Sequence, residues 1–149
     1  MIKALCFLGL IAVAFATEGL EDCGSPGGTL ISAQIGDCEA APCTVTPGET
    51  VNFVASMLSA SSTETLEVLV EADLSGTVID ITDIVGVNRD GCQTVDPECP
   101  IVPDVEYTIT AEVTVSDLFA GESLDVVMSL IGDGGETLVC LKLRADVEA

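Results

Sequence analysis

The stretch Val105-Glu106-Tyr107-Thr108-Ile109-Thr110-Ala111-Glu112-Val113-Thr114-Val115 decides the fold. Apolar side chains fall on every second position (Val105, Tyr107, Ile109, Ala111, Val113, Val115), with Glu and Thr between them. Successive side chains of an extended chain point to opposite faces, so this pattern is a half-buried antiparallel strand. The same alternation recurs in Leu66, Val68, Val70, Ala72, Leu74, in Val51, Phe53, Ala55, Met57, in Leu124, Val126, Met128, Leu130, and in Val139, Leu141, Leu143, Ala145. A weaker strand is expected over 29–35 and another over 78–85. Turn signals stand between them, including Pro47-Gly48, Ser75-Gly76 and Asn88-Arg89-Asp90-Gly91. Gly132-Asp133-Gly134-Gly135 joins two strong strands and reads as a hairpin loop. About seven strands and no convincing amphipathic helix predict an all-β sandwich of two antiparallel sheets.

Composition removes several classes of function. The 149 residues fit one domain. They carry 25 acidic and 4 basic side chains, a formal charge of −21. Four cations cannot build the positive face that a phosphate backbone requires, so nucleic acid is excluded as a partner. Anionic membrane surfaces are disfavoured at neutral pH for the same reason. Carboxylates protonate around pH 4, so contact with such surfaces is expected to become easier as a lumen acidifies. The chain has no histidine and no tryptophan. Catalytic triads, Cys–His pairs and imidazole metal sites are therefore ruled out, and no enzymatic activity is expected. Paired carboxylates could in principle hydrolyse glycosides, but no Trp is present to stack a sugar. No cofactor is expected.

Residues 1–16 read as a secretory signal peptide: Lys3 opens it, 4–14 is an unbroken apolar run, and Ala14-Phe15-Ala16 is a small-x-small cleavage site. The run is too short to span a bilayer. Cleavage leaves residues 17–149, with 3 basic and 25 acidic side chains and a formal charge of −22. The mature chain is then secreted and extracellular, or delivered to an endosomal or lysosomal lumen. No Asn-x-Ser/Thr sequon exists to support glycan-dependent sorting. Cys6 leaves with the signal, and Cys23, Cys38, Cys43, Cys92, Cys99 and Cys140 remain. An even number in an oxidising compartment points to disulfides. Six cysteines allow fifteen pairings. The short spacings favour Cys38 with Cys43 and Cys92 with Cys99, leaving Cys23 for Cys140.

The framework around these cysteines is specific. Asp22-Cys23-Gly24-Ser25 opens the mature chain, and Cys38-Glu39-Ala40-Ala41-Pro42-Cys43 follows. Asp90-Gly91-Cys92 comes later, then Cys99-Pro100-Ile101-Val102, and Leu138-Val139-Cys140 lies in the last strand. This order and spacing resembles the ML lipid-recognition family over essentially the whole mature chain. The resemblance implies an immunoglobulin-like two-sheet sandwich with an internal apolar cavity and the pairing Cys23–Cys140, Cys38–Cys43 and Cys92–Cys99. It further implies a non-enzymatic carrier that holds a sterol, fatty acid or similar lipid between its sheets; the chain itself is expected to be a monomer. Transient membrane or receptor contact would release the ligand. The chain departs from the sterol-transfer members in three ways: 76–85 replaces a proline-rich segment, their tryptophans are missing, and so are their membrane-facing lysines.

A lipid carrier needs inward faces free of charge. The inward sets here are mostly Val, Ile, Leu and Ala, and only Phe53, Tyr107 and Phe119 are aromatic in the mature chain. Phe53, Val70, Tyr107, Ile109, Val113, Val126, Met128 and Leu141 are the candidate cavity walls. Any of them serves equally well as ordinary core, and Tyr107 also as a corner tyrosine whose hydroxyl ties down backbone. Ile79, Ile81, Val115 and Phe119 are portal candidates, with Phe119 readable also as a buried loop anchor. Burying about 300 Å² of hydrocarbon offers on the order of 7 kcal/mol before ordering costs, which corresponds to micromolar binding. The competing reading is an extracellular calcium-binding adhesion or structural module, using Asp80, Asp83, Asp90, Asp96, Glu98 and Asp133 as oxygen ligands.

Overall fold

The computed structural model describes residues 17–149; the expected signal segment, residues 1–16, lies outside the described residues. Ten strands follow in order: β1 (Glu21–Asp22), β2 (Gly28–Ile35), β3 (Cys43–Val45), β4 (Thr50–Ser59), β5 (Leu66–Leu74), β6 (Thr77–Asp80), β7 (Val95–Asp96), β8 (Glu106–Thr114), β9 (Ser123–Gly132) and β10 (Thr137–Val147). One sheet runs β1-β10-β9-β5-β6, and the other runs β2-β4-β8-β7. The short β3 lies parallel to the end of β10, with Val45 opposite Val147. It shares that edge with β1, which pairs at Leu141 and Lys142. All other strand pairs are antiparallel.

The period-two reading describes the long strands. Along β5 the side chains of Leu66, Val68, Val70 and Ala72 are buried, as are Phe53, Ala55 and Met57 along β4. Their outward neighbours include Glu67, Asn52 and Val54, all exposed. A register shift between Thr137 and Val139 interrupts the alternation in β10, burying both Leu138 and Val139, and another falls between Leu30 and Ser32 in β2. An inserted residue of this kind rotates the following side chains without breaking the strand. The β9–β10 hairpin turns where the glycine cluster predicts, and β5–β6 turns at Ser75 and Gly76, both with positive φ.

One expected strand is cut short. Instead of running over 78–85, β6 ends at Asp80. Asp80 Oδ1 accepts hydrogen bonds from the Thr82 amide at 3.0 Å and the Thr82 hydroxyl at 2.7 Å. An Asp two residues before a Thr offers the backbone a local acceptor, and this draws the chain out of the sheet into a turn. The turn closes with the Val85 amide donating to the Ile81 carbonyl.

Three disulfides join Cys23–Cys140, Cys38–Cys43 and Cys92–Cys99, with sequence separations of 117, 5 and 7. Gly91, in the Asp90-Gly91-Cys92 motif, sits so close to β5 that a Cβ there would lie 2.8 Å from Leu66 Cβ. Only glycine permits that approach. Among the described residues no helix is long and apolar enough to cross a membrane.

Candidate functional site

The two sheets meet fully at one end and incompletely at the other. At the closed end Met57, Leu66, Ile101, Tyr107, Leu130 and Leu138 are all buried in one cluster. Toward the other end lies a cavity of about 90 Å³ between the sheets. Its walls are Ile35, Cys43, Val45, Val51, Phe53, Val70, Ile81, Val85, Val113, Val115, Phe119, Leu124, Val126, Met128, Leu143, Ala145 and Val147. Cys43 is tied up in a disulfide, so none of these side chains offers a hydrogen-bonding group. Eight of the 17 are valine, whose short branched side chain reaches less far across the gap than Leu, Met or Phe. A second void of about 20 Å³ lies next to the first. Phe53 and Met128 line both, so these two side chains form the partition between them.

The residues expected from the sequence distribute as follows. Phe53, Val70, Val113, Val126 and Met128 line the larger cavity. Ile109 and Leu141 line the smaller void. Tyr107 lines neither and is corrected to core: its ring is buried at the closed end, and its hydroxyl accepts a hydrogen bond from the Val102 amide at 3.0 Å. A buried phenol needs a partner, and an apolar cavity supplies none. Among the portal candidates, Ile81, Val115 and Phe119 line the cavity but are only 3%, 8% and 5% exposed, so they form wall rather than rim. Phe119 is turned inward by a short 3₁₀ turn over Asp117–Phe119, which the Ser116 hydroxyl caps at the Leu118 amide. Ile79 lies outside the cavity, half-buried on β6 opposite Ala72.

Two sets of wall residues escaped the sequence reading. Val51, Leu124, Leu143 and Ala145 sit on the inward sets that periodicity identifies, but nothing in the pattern separates them from core. Ile35, Cys43, Val45, Val85 and Val147 lie at strand ends or in a loop, where the period is too short to read.

Ile81 and Val85 reach the cavity through a polar lock. The Thr82 hydroxyl, fully buried, accepts from the Val70 amide at 2.8 Å while donating to Asp80. Arg89 closes the lock from outside, bonded to Asp80 Oδ2 at 2.9 Å and to Asp83 through Nε at 3.0 Å. The Thr82 hydroxyl and amide, with Arg89 beyond them, hold the Asp80 carboxyl at about 2, below its ordinary 3.8. Asp83 and then Asp80 push the Arg89 guanidinium upward.

This lock bears on the calcium reading. Asp80 and Asp83 face Arg89, Asp90 caps the Cys92 amide at 3.1 Å, and Asp133 accepts from the Glu64 amide at 3.0 Å. These four carboxylates are committed to Arg89 or to backbone amides. Among the described residues no group of three or more His, Cys, Asp or Glu side chains is arranged to hold a metal ion.

Beside the cavity, a surface groove of about 340 Å³ shares Ile35, Cys43, Val45 and Val51 with it. Its outer residues are polar: Asp37, Thr44, Glu49, Thr50 and Asn52, all exposed.

A stapled all-β sandwich with a wholly apolar cavity between its sheets agrees with the family comparison: residues 19–147 match the ML domain, and the chain belongs to that family. It is similar to NPC intracellular cholesterol transporter 2 of Danio rerio, 25% identical over 126 residues, covering 85% of this chain and 82% of that protein. The Canis lupus familiaris protein of the same name is 26% identical over 133 residues, covering 86% of this chain and 83% of its own length. Among solved structures, a Niemann-Pick type C2 protein from Japanese carpenter ant superposes with a TM-score of 0.74 at 19% identity, over 87% of this chain and 98% of that one. At that identity the superposition speaks for the fold.

Proposed function

We propose that this chain is a non-enzymatic carrier that holds the hydrocarbon part of a sterol or similar lipid between its two sheets. The observation that carries the reading is the chemistry of the cavity: 17 wall residues from both sheets and their loops, none with a free polar group. Water gains no hydrogen bonds in such a space, whereas alkyl groups are favoured there. The cavity's 90 Å³ is below the roughly 300–1,000 Å³ of typical small-molecule sites. A guest therefore spreads the walls. Met128 is the wall best suited to yield, since an unbranched thioether has three rotatable bonds. Its movement joins the two voids and brings Ile109 and Leu141 into contact with the guest.

In this reading residues 1–16 are removed on export, and the mature chain works as a monomer outside the cell or in an endosomal or lysosomal lumen. It gives up its ligand on transient contact with a membrane or receptor. The names of the curated relatives support a sterol, and membership of the family supports the carrier role. Native mass spectrometry of the secreted protein, followed by organic extraction, tests the proposal. A co-purifying lipid at one per chain is expected. Absence of any such lipid, together with no uptake of radiolabelled sterol or long-chain alcohol, would overturn it.

A further inference from the structure

We infer that the bond between Ala16 and Thr17 is a one-way processing site. It is cut before the chain folds, and the Thr17 terminus it releases then seats as a plug that resists further trimming. This rests on the reading that residues 1–16 are removed on export. Thr17 is only 5% exposed. Its backbone nitrogen donates to the Ala33 carbonyl at 2.9 Å. Its hydroxyl donates to the Cys38 carbonyl at 2.8 Å and accepts from the Ile35 amide at 2.9 Å. Ala33 and Ile35 lie on β2, the edge strand of its sheet, whose outward backbone groups these bonds cover.

The residues after Thr17 continue the seat. The Glu18 amide donates to the Glu39 carbonyl at 2.8 Å, and the Glu18 carbonyl accepts from the Ala41 amide at 2.8 Å. The chain here runs parallel to the loop closed by the Cys38–Cys43 disulfide. Leu20 packs against the cluster that holds Ala33, Ile35, Cys43 and Leu141. Whether a bond is open to proteolysis follows from the burial and hydrogen bonding of the backbone around it. The backbone that a protease must take up at this junction, Thr17 and Glu18, is already bonded into the fold. In the unfolded chain it is free. Both an amide and an ammonium donate hydrogen bonds, so the contact with Ala33 is available before and after cleavage. Lifting Thr17 and Glu18 from the seat breaks five hydrogen bonds together. It also leaves the buried Ile35 amide without its acceptor.

The test uses the secreted protein, whose intact mass is expected to start at Thr17. Aminopeptidase release of Thr17 is followed by mass spectrometry, in the native protein and in the same protein after reduction and alkylation. Release from the native protein is expected to be at least about tenfold slower, whereas a frayed terminus is trimmed at nearly equal rates. Thr17→Ser keeps the hydroxyl and should keep that gap. Thr17→Ala loses both hydroxyl bonds and should narrow the gap several-fold. In a second arm, a tag ending in a site-specific protease sequence replaces residues 1–16. Set directly before Thr17, that sequence should be cut at least about tenfold more slowly than with a flexible glycine-serine spacer between them. Equal trimming of native and unfolded protein, equal gaps in the Ser and Ala variants, or equal cutting with and without the spacer would overturn the inference and leave the export reading standing. A secreted mass that retains residues 1–16 would overturn the export reading, and this inference with it.

Discussion

The two ends of the sandwich are built from the same strands with the same period, yet one is closed and the other hollow. At the closed end the facing side chains are Met57, Leu66, Tyr107, Leu130 and Leu138, with Ile101 entering from a loop. At the hollow end valine is the commonest wall residue, as at Val45, Val51, Val113, Val115, Val126 and Val147. Packed sheets lie about 10 Å apart, a gap that pairs of leucine-sized side chains fill and pairs of valines leave partly open. The run of valines, set among larger walls such as Phe53, Phe119, Leu124 and Met128, therefore contributes to where the cavity lies. Stability and binding are separated along the strand axis, so substitutions at the two ends should act on different measurements.

The largest effect is expected at the closed end. Leu138 is fully buried, and Leu138→Ala should cost about 3 kcal/mol in chemical denaturation while leaving lipid uptake unchanged. Uptake lost in parallel with stability would mean that the two ends are not independent. A smaller loss is expected for Tyr107→Phe, which deprives the Val102 amide of its acceptor and should cost about 1 kcal/mol, again without change in uptake. Altered ligand affinity in that variant would return Tyr107 to the binding site. At the hollow end the sign reverses. Val126→Leu adds a methylene beside existing space, so it should raise stability by up to about 1 kcal/mol and reduce uptake. A variant that is destabilised and still binds normally would show that the cavity is not where the lipid sits.

Much of this arrangement is legible from residue types alone. Alternation in β4, β5, β8, β9 and β10 fixes which face of each strand turns inward, because the side-chain period of a strand is two whatever its neighbours are. The cysteine spacings and motifs point to the staples. What alternation cannot carry is position along the strand axis. Val113 and Ile109 occupy equivalent inward places on β8, yet one lines the larger cavity and the other the smaller void. The difference depends on Phe53 on the neighbouring strand β4 and on Val126 across the gap, and such contacts exist only once the strands are paired and the sheets stacked. Tyr107 was hidden for a related reason. Its role follows from Val102, five residues upstream in a loop whose path no periodic signal describes. The groove beside β3 is less legible still, since β3 has only three residues and pairs with a strand about a hundred positions away.

The hollow end also carries a lock built on a carboxylate, and pH should reach it in a defined window. Ile81 and Val85 are held over the cavity by Asp80, Thr82 and Arg89. The folded chain holds the Asp80 carboxyl at about 2 against an ordinary 3.8, so its ionised form favours the folded loop. That contribution is fully present above about pH 4 and is lost as pH falls through about 2. Acidification from neutrality to about pH 4.5 should therefore leave this wall in place, and any gain in membrane delivery over that range must come from other carboxylates. Hydrogen exchange of the Ile81, Val85 and Val87 amides, which donate to Val70, Ile81 and Thr82, provides the measurement. After correction for intrinsic rates, protection should be constant from neutrality to about pH 4.5 and fall only toward pH 2. Asp80→Asn should lower protection at neutral pH and flatten the acid limb. Protection lost already near pH 5 would show that a group other than Asp80 controls the loop.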